Sequence, residues 1–219
     1  MSTTQETPLS GTDRTRLRRS KERGRSERAA LYEVLDAGMI CHLGVVTEGG
    51  PVVLPTGYGR IADTVYFHGS TAAHSLISAR TGSVCMTVTH LDGIVLARSA
   101  FHHSVNYRSA VVFGEPRLVH DPDEKLAGLR AVTERLAPGQ WDVVRLPDRK
   151  ELAATAVLAL SLTEASVKIR TGPPIDDEED YALDLWAGVL PVRQSFGDPM
   201  PDPRLRPGMT VPDHVLKRA

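Results

Sequence analysis

Cysteine is scarce: the 219 residues hold two, Cys41 and Cys85. That number excludes a disulfide framework beyond a single bridge, and it leaves a structural zinc site unsupported. Both cysteines sit in apolar runs and read as core. Long hydrophobic stretches are missing too. No window approaches the length needed to cross a bilayer, and Met1 to Gly11 is polar, without the apolar segment of a signal peptide, so the expectation is a cytoplasmic protein with no membrane contact. The chain has no nucleophile elbow, phosphate-binding P-loop, dinucleotide fingerprint or zinc-protease helix, which removes most hydrolase and kinase chemistry. An excess of either charge is also lacking. The formal net charge is -1 and 41% of residues are hydrophobic, the balance of an ordinary globular protein that makes no demand for nucleic acid.

What is present is unevenly placed. Arg14, Arg16, Arg18, Arg19, Lys21, Arg23, Arg25 and Arg28 crowd one basic stretch, readable as an arm for polyanions or as a solvated tail leading into a helix. Residues 1–24 are polar and without periodicity, so an unstructured arm is expected there. Residues 25–192 carry the patterning of one domain, and prolines cluster from Pro191 onward, predicting an extended tail over 193–219. Within the domain, Ala30, Leu31, Val34 and Leu35 recur at helical spacing before Gly38. Strands follow: Met39 to Val46 and Pro51 to Tyr58 as a hairpin around Thr47-Glu48-Gly49-Gly50, then Thr64 to His68, then a short helix over Thr71 to Arg80. Ser83 to His90 and Ile94 to Ala100 read as a second hairpin around Leu91-Asp92-Gly93. Arg108 to His120 reads as a long strand bent at Gly114-Glu115-Pro116. Asp121-Pro122-Asp123-Glu124 starts a helix to about Leu136, with Asp121 as cap and Glu124 able to bond back. A polar connection then leads to a last long strand from Thr155 through Arg170. Roughly seven strands and three helices without a repeating strand-helix-strand unit predict a β-rich α+β fold, an antiparallel barrel of Greek-key type with flanking helices.

Three stretches carry the chemistry. In Tyr66-Phe67-His68-Gly69-Ser70-Thr71-Ala72-Ala73-His74 a strand runs through a glycine turn into a helix, whose first amides can hold a phosphate, with Ser70, Thr71, His74 and Ser75 adding donors. Spacing alone favours the plainer reading, in which Ser70 simply caps that helix. In Ala97 to Arg108, His102, His103, Asn106 and Arg108 form a polar cluster between apolar strands, a composition suited to facing a ligand. Adjacent histidines on extended chain point apart and have no matching ligand partner here, so a metal site is not expected. In Leu54-Pro55-Thr56-Gly57-Tyr58-Gly59-Arg60 the glycines allow a flat ring close to the backbone, and Arg60 could meet an anion. A bulged strand end accounts for the same residues.

Taken in order, Leu54-Pro55-Thr56-Gly57-Tyr58, Tyr66-Phe67-His68-Gly69-Ser70, Leu91-Asp92-Gly93, Asn106-Tyr107-Arg108-Ser109 and Trp186-Ala187-Gly188-Val189-Leu190-Pro191 resemble the flavin-nucleotide-binding branch of the pyridoxamine 5'-phosphate oxidase-like family, which includes nitroimidazole-resistance reductases. The resemblance covers about residues 25–192. It implies a split β-barrel homodimer that holds FMN at the subunit interface and passes electrons to a small-molecule substrate. His68, Gly69 and Ser70 would then lie by the phosphate and ribityl chain, and Pro55, Thr56 and Tyr58 would border the isoalloxazine. Asn106 and Arg108 would approach from the long strand, and Trp186 would close the pocket. Many relatives have a cation where this chain has His74, a weaker phosphate donor for which Arg60 or Arg80 could compensate. Where a proton must be moved beside the flavin, His102 or His103 is the expected group. A non-catalytic module for flavin, haem or a deazaflavin is the alternative.

Overall fold

The computed structural model describes residues 8, 9, 11–80 and 82–218, apart from the side chains of residues 74–76. Two antiparallel sheets share one core, the architecture of a split barrel that does not close into a single cylinder. The first sheet has the order β1 (Gly24–Arg25), β10 (Glu164–Arg170), β7 (Ser104–Gly114), β6 (Val84–Leu96), β2 (Ile40–Thr47) and β3 (Gly50–Gly57), with β11 (Gly188–Pro191) added to the far end of β6. The second has the order β4 (Gly59–Ile61), β5 (Thr64–Ser70), β9 (Thr155–Ser161) and β8 (Arg117–Leu118). Alternation decides which side chains enter the core. On β2, Cys41, Leu43 and Val45 are buried while Ile40 and His42 face out. On β5, Val65 and Phe67 join that core. Helix α1 (Arg28–Ala37) supplies Leu31, Val34 and Leu35, each fully buried.

Several expected elements take a different form. The predicted hairpin over Ser83 to Ala100 is one strand, because β7 pairs along its whole length and Leu91-Asp92-Gly93 is absorbed as a bulge between Leu91↔Tyr107 and Gly93↔Asn106. The predicted long strand from Thr155 to Arg170 is two strands in different sheets, broken where Leu162 N–H donates to the Asp63 carbonyl at 2.9 Å. The helix expected over Thr71 to Arg80 is shorter, α2 (His74–Ala79). Helix α3 (Pro122–Leu136) starts as expected, with Asp121 accepting from Glu124 N–H at 2.8 Å. The Glu124 carboxylate does not bond back; it takes Arg117 and the Tyr66 hydroxyl instead. The stretch read only as a polar connection contains α4 (Arg149–Ala154), opened by a full capping box between Asp148 and Glu151.

Both chain ends bear on the core. The basic segment, expected to be unstructured through residue 24, turns at Lys21–Arg23 and pairs Gly24 with Lys168 and Arg25 with Val167, while Arg14 bonds Glu164 and the Ser83 hydroxyl. The C-terminal segment is largely extended, yet it carries α5 (Asp213–Leu216) and returns to α3, where the His214 ring bonds Gln140 at 2.7 Å and Arg218 donates to the Arg135 carbonyl at 3.2 Å.

One contact fixes α3 against the second sheet: a Cβ built on Gly59 would lie 2.2 Å from the Ala131 carbonyl carbon and 2.4 Å from the Val132 nitrogen. Backbone cannot yield there, so Gly59→Ala is expected to destabilise the fold by roughly 1–3 kcal/mol or more, read by chemical denaturation. Burial also pushes the Cys41 thiol up to about 12 from its usual value of 9. The folded state therefore keeps this proton after the unfolded chain has lost it. Unfolding free energy should fall as pH rises from 9 toward 12, and Cys41→Ala should flatten that slope.

Candidate functional site

At the β5 corner, local chemistry uses up what was expected to be free. Thr71 N–H donates to the Ala154 carbonyl at 3.1 Å, Ala72 N–H to the Ser70 hydroxyl at 3.2 Å, and Ala73 N–H to the Ser70 carbonyl at 3.0 Å. Ser70 thus caps the turn, and these amides are not open to a phosphate. His74 and Ser75 have side chains outside the described residues. Gly69 continues the pairing with β9, opposite Ala156. His68 is on the outer face of β5, where desolvation lowers its pKa and favours the neutral imidazole. Pro55 and Thr56 lie opposite His42 and Cys41 on β3, the edge of the first sheet. Tyr58 is fully buried, and its hydroxyl donates to the Leu35 carbonyl at the end of α1. Arg60 pairs with Asp36, and its guanidinium stacks 4.1 Å from the Tyr32 ring centroid, so its charge is already met. Trp186 is 71% exposed on this chain and closes no pocket by itself.

A cavity of about 720 Å³ opens where α1 ends, and among the described residues Arg108 is the one predicted site residue that lines it. Its floor depends on Gly38: a Cβ there would lie 2.5 Å from the Tyr58 hydroxyl. The bulge of β6 brings Asp92 within reach of Arg108, which it binds at 2.9 and 3.0 Å. From α3, Arg135 reaches Asp36 at 3.2 Å. The C-terminal segment supplies Val192, Arg193, Phe196 and Arg218, the last stacked 4.6 Å over Phe196. Four guanidiniums therefore face two carboxylates, and Arg193 has no partner among the described residues. The Nε atoms of Arg135 and Arg218 are buried without an acceptor. His90 donates from Nε2 to the Val34 carbonyl at 2.9 Å, which leaves Nδ1 an acceptor. With Met39, Leu91 and Phe196 beside these groups, the cavity suits a flat ring that carries anionic charge.

His102 and His103 lie elsewhere, in a pocket of about 310 Å³. The His102 ring contacts Asp177 at 3.2 Å, and His103 Nδ1 bonds the Ser99 carbonyl at 2.8 Å. Asn106 is buried; it donates to the Gly172 carbonyl at 3.1 Å and accepts from Arg170. One chain therefore does not gather the predicted residues into a single site. Sequence reasoning missed His90, Arg135, Arg193 and Arg218. His90 falls within an apolar alternation, and the other three were assigned to a helix face or to the tail.

Residues 27–169 match the pyridoxamine 5'-phosphate oxidase family. The chain belongs to this family. Its fold superposes on the flavocytochrome Anf3 from Azotobacter vinelandii with a TM-score of 0.92 and 42% identity, over 97% of this chain and 99% of that one. The FAD and haem binding protein from Mycobacterium smegmatis matches with a TM-score of 0.85 and 37% identity, over 90% and 97% of the two chains. A protein from Bacteroides thetaiotaomicron assigned to 5-nitroimidazole resistance shares the fold, with a TM-score of 0.56 and 18% identity over 67% and 86%. Among curated proteins no match was found.

Asp36 is the carboxylate shared by Arg60 and Arg135, so its removal should leave the cavity more positive. Asp36→Asn is expected to lose roughly 1 kcal/mol of stability and to bind inorganic pyrophosphate several-fold more tightly by calorimetry. Weaker binding would mean that Asp36 aligns the arginines instead of neutralising them.

Proposed function

We propose that this chain is a flavin-binding redox protein that also carries haem, with the flavin in the cavity of about 720 Å³. The observation that carries the reading is the origin of that cavity's wall. Val192, Arg193, Gln194, Phe196 and Arg218 lie beyond the family match, which ends at residue 169, whereas a match over 97% of the chain extends well past it. The segment that completes the cavity is thus part of what the chain shares with a flavocytochrome.

Flavin adenine dinucleotide is favoured over the FMN that the motifs implied. The 37%-identical relative binds FAD and haem, and an excess of guanidinium over carboxylate suits a pyrophosphate better than one terminal phosphate at the capped β5 corner. Arg193 would meet the pyrophosphate, Arg108, Arg135 and Arg218 would add positive potential, and Phe196 and Leu91 would exclude water from a ring. For haem, His103 has the required disposition: the Ser99 carbonyl holds its Nδ1 proton and leaves the Nε2 lone pair for iron. Bound there, the two groups would supply hydride and single-electron transfer, and the protein's part is position and electrostatics. A proton-transfer role for His102 and His103 finds no support in their placement away from the cavity. A homodimer is supported by the β2–β3 edge, where Val46 is 71% and Val53 64% exposed.

Purified protein should release FAD by mass spectrometry and show both a flavin band and a Soret band. Release of FMN, or a preparation that takes up neither flavin, would overturn the assignment. Arg193→Glu should weaken FAD retention at least about tenfold, a loss of roughly 1.4 kcal/mol, with little change in stability.

A further inference from the structure

Arg170 ends β10 at 8% exposure, and burial of a cation is costly unless an anion pairs with it. Its partners are neutral: the Asn106 side-chain oxygen, and the Pro173 carbonyl at a long 3.4 Å. Among the described residues no carboxylate pairs with it. Asp176 and Asp177 line the same pocket but are engaged, Asp176 by Arg98 at 3.0 Å and Asp177 by the His102 ring, and Glu22 lies 3.5 Å from Arg23 at the exposed rim. Burial lowers the Arg170 pKa, and the charge that adds to this is a second cation, Arg23. Both arginines line the same pocket beside His103 and Ser104. Arg23 is brought there by the N-terminal segment, through the pairing of β1 with β10.

We propose that the pocket between the His102–His103 turn and the end of β10 is an anion site, in which Arg170 and Arg23 bind a carboxylate or phosphate group. The guanidinium of Arg170 is held at one edge by Asn106 and presents a fixed planar donor set, the geometry that favours two-oxygen anions over chloride. Asn106 is accordingly a positioning residue. The basic arm gains a specific task, since Arg23 closes the pocket from outside. The site stands on Arg170 itself and does not depend on where a flavin binds. Its anion has two possible sources, a propionate of bound haem or a free small anion.

Inorganic phosphate and acetate, titrated into the full chain at constant ionic strength, should shift the ring resonances of His102 and His103 saturably. Arg23→Gln, at the half-exposed rim, should weaken this response about fivefold, and Arg170→Lys at least tenfold, while Arg193→Glu should leave it within twofold. Ring resonances that stay fixed, or rim and Arg170 variants that titrate like the natural chain, would overturn the proposal. Haem and its dimethyl ester then separate the sources. Tighter binding of the free acid that disappears in Arg170→Lys identifies a propionate, and equal binding identifies a free anion. Failure of haem to bind at all would count against the haem reading and leave the phosphate result intact.

Discussion

The ladder between β6 and β7 holds the rest of the structure in place. It runs from Val84↔Gly114 to Val95↔Ser104 and contains one irregularity, the bulge at Asp92. Two of the groups that position a ligand in the proposed reading hang from it. The bulge leaves the Asp92 carboxylate free to hold Arg108 at the large cavity. Beyond it, the ladder carries Asn106 to the second pocket, where it holds Arg170. The same stretch of β6 accepts β11 on its other edge, with Gly93 so close that a Cβ would lie 2.9 Å from Val189. One extra residue in a strand thus sets the positions of two candidate sites, because a bulge turns the faces of everything after it.

Charge pairing sorts the arginines into structural and functional groups. Arg28 is held by Asp63, Arg60 by Asp36, and Arg98 by the wholly buried Asp176 carboxylate. These pairs fasten helices and loops to the sheets, and their cations have no surplus for a ligand. Arg193 and Arg170 differ: the first has no partner among the described residues, and the second only neutral ones. A buried cation without an acid, as at Arg170, is an unstable arrangement in an isolated chain, so its counter-charge is most simply supplied from outside, whereas Arg193 is exposed and free to meet a ligand.

The candidate site was legible in part. Of the residues the sequence offered for a cofactor, Arg108 lines the large cavity, Tyr58 is buried with its hydroxyl on the Leu35 carbonyl, and Arg60 is paired with Asp36. The glycine corner at Ser70 shows why a motif underdetermines its use. Its hydroxyl and carbonyl serve the turn's own amides as readily as they would have left those amides to a phosphate, and only the docking of Ala154 against Thr71 settles where the first N–H goes. The helix at Asp148 was readable and missed, since Asp-x-x-Glu is itself a capping signature.

From its sequence alone this protein is an antiparallel, β-rich domain with a helix from Pro122 and a family likeness in its strands, because alternation, caps and turn residues act between near neighbours. Tertiary structure decided what depends on distant partners. β7 made one strand of an expected hairpin, Asp63 split an expected strand between two sheets, and the C-terminal arginines came to rest on a cavity whose other wall is α1. Those outcomes turn on which groups are left unpaired once the whole chain has packed, and no local pattern carries that information.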